Sequence, residues 1–85
     1  MIETKQQVVG NFSVRAHAFL GEPNLIHGIA FDDAVVTLKR YVLTELRDQE
    51  LASLLGRFQK LIRAMDTATL NALVVEVEQR LARSP

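Results

Sequence analysis

Leu51, Leu54, Phe58, Leu61 and Met65 recur at spacings of three and four, which lays one apolar stripe along a helix from Asp48 to Met65. Leu55 and Ile62 widen the stripe beyond a two-stranded seam, so this helix is predicted to pack against several neighbours. The last third repeats the pattern. Asp66 and Thr67 are N-cap candidates, and Leu70, Leu73, Val74, Val77 and Leu81 follow at helical spacing, which predicts a helix over about 68–83. Upstream, Asp32 or Asp33 can cap a helix that buries Val35, Leu38, Val42 and Leu46. The step from Leu46 to Leu51 fits neither three nor four, so a turn or kink is predicted near Arg47, Asp48 and Gln49, with Asp48 capping the next helix. A single bent helix over 33–65 is the rival reading.

The N-terminal third supports two readings. As a helix from about Glu3 to Leu20 it buries Val9, Phe12, Ala16, Phe19 and Leu20, stops at Gly21 as a C′ residue and has Pro23 beyond. As strand, Phe12, Val14, Ala16, Ala18 and Leu20 alternate with Ser13, Arg15, His17 and Phe19, and Gly10-Asn11 can form a tight hairpin turn. The alanines around His17 favour the helix, and a lone hairpin would need a further sheet to pair with. Gly21 to Phe31, carrying Pro23, Asn24 and Gly28, reads as the one substantial linker. Its Leu25, Ile26, Ile29 and Phe31 should lay it across the bundle. The expectation is one all-α domain over 1–85, a small four-helix bundle with helices at about 3–20, 33–47, 49–65 and 68–83.

Composition sharpens this picture. The 85 residues include nine Val, four Ile, twelve Leu, two Met, four Phe and one Tyr, more large apolar side chains than a chain of this size easily hides. A homo-oligomer, most simply a dimer, or an apolar patch covered by another protein is therefore expected. Ten basic and ten acidic side chains cancel, which removes the usual electrostatic drive toward nucleic acid or an anionic membrane. Two basic residues stand against four acidic ones up to Val36, and eight against six from Thr37 onward. There is no cysteine, so disulfides, thiolate metal sites and cysteine nucleophiles are excluded. Met1 to Gln7 has neither a basic nor an apolar signal region and no apolar run is long enough to span a bilayer, so a cytoplasmic chain is expected.

Candidate chemistry is sparse. His17 and His27 lie ten residues apart across a Gly/Pro turn with no ligand spacing, and no metal or cofactor is expected. Asp32 and Asp33 are adjacent, do not share a helix face, and read as capping residues. Glu76 and Arg80 form an ordinary i,i+4 pair, and no glycine framework surrounds Ser13, Ser53 or Ser84, so no catalytic residue is assigned.

Gln49-Glu50-Leu51-Ala52-Ser53-Leu54-Leu55-Gly56, continuing to Ile62 and Met65, resembles the core of helix-turn-helix DNA-binding domains over about 17 residues. The resemblance implies Gly56 as the turn glycine and Gln59, Lys60 and Arg63 on an exposed recognition helix. It departs at Arg57, where an apolar residue belongs, and at Phe58 and Leu61, where exposed polar ones do. A packing-driven glycine inside a helix, costing about 1 kcal/mol against alanine, accounts better for Gly56. Arg57, Lys60 and Arg63 then form a basic edge beside the stripe, and these are the candidate nucleic-acid contacts.

The sequence thus favours a non-enzymatic interaction module, an oligomeric adaptor, regulatory or antagonist protein working through an apolar helix face. Leu54, Phe58, Leu61 and Met65 are the candidate face, with Leu73, Val77 and Leu81 opposite. A small helix-turn-helix regulator is the alternative. A small-molecule carrier is disfavoured by length and by the lack of polar anchors.

Overall fold

The computed structural model describes residues 4–83. Thr4 opens the first helix, α1 (Lys5–Gly21), with a reciprocal capping box: its side chain accepts from the Gln7 N–H, and the Gln7 side chain accepts from the Thr4 N–H. The N-terminal third is helix and not hairpin. The expected start at Glu3 lies outside the described residues. Val8, Phe12, Ala16 and Phe19 turn inward, so Val8 takes the place expected for Val9, which with Leu20 is only half-buried. Gly21 is not a left-handed C′ residue; the helix ends through the Glu22 N–H donating to the Ala18 carbonyl.

The expected linker over 21–31 is largely absent. Only Glu22, Pro23 and Asn24 separate α1 from α2 (Leu25–Tyr41). The cap is Asn24, whose side chain accepts from the His27 N–H at 2.8 Å. Asp32 and Asp33 are therefore mid-helix and cap nothing. Pro23 precedes the cap, where its missing N–H is harmless, and Gly28 sits within the helix as a close-approach residue. A β-carbon there would stand 3.4 Å from the Phe19 ring and 3.5 Å from Ile62 Cγ2.

At its far end α2 widens into a π-helical turn over Val42–Leu46, and Arg47 closes it at φ 52°. The break falls where the sequence placed it, and Asp48 caps α3 (Gln49–Gly56) by accepting from the Leu51 N–H at 3.0 Å. The predicted helix over 49–65 is jointed. After Arg57 the chain resumes as α4 (Phe58–Arg63), which ends in a Schellman motif with Met65 at φ 53°: the Asp66 N–H donates to the Leu61 carbonyl and the Met65 N–H to that of Ile62, each at 3.0 Å. Asp66 then accepts from the backbone and hydroxyl of Thr69 at the start of α5 (Thr67–Arg83).

Among the described residues four rods result, counting α3 and α4 as one, in a small all-α bundle. α2 lies between α1 and the α3–α4 rod, and α5 lies between the same two on the opposite side, so α2 and α5 face each other across a diagonal. The other diagonal is bridged by side chains: Phe12 of α1 meets Phe58 of α4 at 5.8 Å between ring centroids. Phe31 of α2 touches both, and Phe19 as well, at 5.7–5.9 Å. All four rings are fully buried, and offset or edge-on ring pairs contribute about 0.5–1.5 kcal/mol each beyond the area they bury.

Phe31→Ala should cost about 3–5 kcal/mol in denaturant unfolding, the loss expected when a central aromatic leaves a cavity. Gly10, exposed in mid-α1 with open space where a β-carbon would stand, should behave oppositely: Gly10→Ala should stabilise by about 1 kcal/mol.

Candidate functional site

The seven residues expected to form an interaction face are mostly core. Leu54, Phe58, Leu73, Val77 and Leu81 are buried within the chain itself, Leu61 is half-buried, and only Met65 is exposed. A folded monomer cannot present the first five to a partner. Leu51, Leu54, Leu55, Phe58 and Ile62 share the inward side of the α3–α4 rod and Leu61 lies at its edge, whereas Met65 stands beyond the end of α4 in the left-handed Schellman position, which turns its side chain out of the stripe.

The exposed apolar surface lies elsewhere. Among the described residues eight large apolar side chains stand out from the fold, and five of them, Leu25, Ile26, Ile29, Val36 and Leu43, belong to α2 and its π-helical end. Leu25, Ile26 and Ile29 are 71%, 78% and 61% exposed, values that belong to surface polar residues. Beside them a groove of about 280 Å³ runs between α2 and α4, floored by Gly28, Phe19 and Ile62 and rimmed by Leu25, Ile29 and Met65. Asp32 borders this groove, and its Oδ1 is shut off from solvent with no hydrogen-bond partner.

Sequence reasoning placed Leu25, Ile26 and Ile29 in a linker lying across the bundle, and missed them as surface. A signal was present. Ile29, Val36 and Leu43 repeat at intervals of seven, offset from the buried series Phe31, Val35, Leu38 and Val42, so α2 is apolar on two opposite faces.

The basic edge is where the sequence put it: Arg57, Lys60 and Arg63 are exposed and form no ion pair among the described residues. The helix-turn-helix geometry is missing. Gly56 has no positive φ, and a single residue, Arg57, separates α3 from α4 while staying in the right-handed helical region at φ −80°, ψ −14°. A helix-turn-helix uses a turn of three or four residues to set its two helices steeply apart. Phe58, on what would be the recognition helix, is wholly buried.

One polar cluster crosses between helices. The Ser13 hydroxyl donates to Glu78 Oε2 at 2.8 Å, and His17 Nε2 lies 3.3 Å from the same oxygen. Serine and histidine thus converge on one carboxylate oxygen and not on each other, which is not the relay that an activated nucleophile needs. The cluster ties α1 to α5. His27 is held locally, with Nδ1 2.8 Å from the Glu22 carbonyl oxygen. Among the described residues no group of three acidic or histidine side chains is placed to hold a metal ion, and no helix is long and apolar enough to cross a membrane.

Comparison with known proteins finds no match to a family model, to a curated protein or to a solved structure.

Gly56 offers a direct check on the local geometry. Its only neighbour for an added β-carbon is the flexible end of Lys39, with Nζ at 3.3 Å. Gly56→Ala should therefore raise the unfolding free energy by about 0.5–1 kcal/mol, whereas a glycine needed for a turn would make the same change destabilising.

Proposed function

We propose that the chain is a non-enzymatic protein-interaction module whose working surface is the outer face of α2. The observation that carries this reading is the gathering of five of the eight exposed large apolar residues on one helix and its π-helical extension. Scattered apolar side chains are ordinary on a protein surface, but five gathered along one helix, with charged residues between them, have the mixed apolar and charged character of a surface that another protein covers. The row extends into the α2–α4 groove through Met65, which gives a partner helix or loop a concave edge to enter. No residue of this row carries a nucleophile or a paired acid and base, so the surface recognises and does not transform. With no cysteine to protect or to oxidise, the module suits a reducing, cytoplasmic setting.

A photoreactive amino acid at position 29 tests the reading in living cells, with position 71, exposed on α5, as the comparison site. Protein adducts should form from position 29 in several-fold higher yield than from position 71. Equal yields, or none from position 29, would overturn the proposal.

A further inference from the structure

We infer that the partner on the outer face of α2 is a second copy of this chain, packed antiparallel about a two-fold axis at Val36. The inference rests on the outer face of α2 being the working surface, and adds what covers it. At 100° per residue, Ile29, Val36 and Arg40 lie within about 40° of one another and about 140–180° from the inward-pointing Phe31, so they crown the face turned away from the core. Val36 is 40% exposed and Leu43 43%. An antiparallel partner centred on Val36 sets Val36 against itself and Ile29 against Leu43 of the second copy, twice by symmetry.

Charge chooses the orientation. Asp33 and Arg40 flank this row on one side, Asp32 and Lys39 on the other, and none of the four side chains has an ion-pair partner among the described residues. The acidic pair stands in the N-terminal half of α2 and the basic pair in the C-terminal half. In an antiparallel two-fold pair, residues on one side of a helix meet residues on the same side of its partner. Asp33 then comes level with Arg40 of the second copy, and Asp32 with Lys39, each to within about 1.5 Å along the axis. A parallel two-fold pair brings opposite sides together and would set Asp33 against Asp32 and Arg40 against Lys39 of the second copy, again at nearly the same level along the axis. The same register therefore buries the apolar row and joins opposite charges along both flanks, whereas the opposite orientation buries the row and joins like charges. A single helix face of this length makes a small contact, which belongs with weak, reversible dimers and not with obligate ones.

Sedimentation equilibrium of the purified chain across dilution reads the result. The mass should rise from 9.5 kDa toward twice that value with concentration, and Val36→Glu, at a site open in the monomer, should hold it at 9.5 kDa with unchanged helical circular dichroism. Arg40→Asp alone sets two like-charge contacts in the dimer and should weaken association at least about tenfold. Asp33→Arg combined with Arg40→Asp exchanges the partners and should restore association to within a few-fold of the parent. A chain that stays at 9.5 kDa at high micromolar concentration overturns the inference, as does a dimer indifferent to Val36→Glu or one that the charge exchange fails to restore. Cross-links from position 29 to other proteins, with a monomeric purified chain, would leave the interaction surface standing and remove only the second copy.

Discussion

Phe31 is the contact on which the rest of the molecule depends. It meets Phe12 and Phe19 of α1 and Phe58 of α4, and with them accounts for every phenylalanine in the sequence. A ring held on three sides fixes more than the position of its helix; it fixes the rotation of α2 about its own axis. Once Phe31 points inward, Val35, Leu38 and Val42 follow it into the core, and Ile29, Val36 and Arg40 are turned toward solvent. The exposed row is thus a geometric consequence of the core and not an independent feature of the surface. Gly28 completes the constraint by letting Phe19 and Ile62 close on the helix from either flank.

The connections show the same economy of chain, and carry some strain. Arg47 and Met65 both adopt left-handed conformations, which cost a non-glycine residue about 1–2 kcal/mol. Each stands at a helix end where the chain must reverse within a residue or two, and each is followed by an aspartate that caps the next helix: Asp48 for α3 and Asp66 for α5. The cap recovers part of what the strained residue costs, because it satisfies a backbone N–H that would otherwise lack a partner. The π-helical turn before Arg47 has a related origin. An extra residue in the turn lets Val42 stay in the core while the chain swings toward Asp48, whose N–H donates to the Val42 carbonyl at 3.2 Å.

The legible parts of the sequence were those in which one local rule acted alone. Asp48 stood in a break between two apolar series, and Asp66 preceded an unbroken one, so both caps could be read directly. The segment 21–31 misled because two rules competed there. Pro23 and Gly28 are loop signals by propensity, yet a proline ahead of an N-cap and a glycine at a close helix contact are both compatible with helix. Only tertiary packing distinguishes these uses, and the atoms that decide it belong to Phe19 and Ile62. The stripe from Leu51 to Met65 is a different case: its inward face is the one the sequence indicates, with Leu51, Leu54, Leu55, Phe58 and Ile62 all buried, but periodicity alone does not tell a face that packs inside the chain from one that meets a partner. The interaction face inferred from it was accordingly mostly core, and the N-terminal part of the surface row, Leu25, Ile26 and Ile29, lay in a segment that did not look helical.

In so short a chain, a second apolar face on one helix has consequences for the whole molecule. A helix that is apolar on one face packs on one side, and a second apolar row on the same helix stays open to solvent unless a further element lies over it. In the bundle α2 has α1 on one flank, the α3–α4 rod on the other and the phenylalanine cluster behind it, which uses every side the monomer can cover. α5, the remaining rod, is already held across the diagonal by Leu70, Val74 and Val77, all fully buried, and by the Glu78 tie to α1. Among the described residues no element is left to close over Ile29 and Val36. The core is complete, and α2, its most constrained helix, still carries a second apolar row that no described element of the bundle covers.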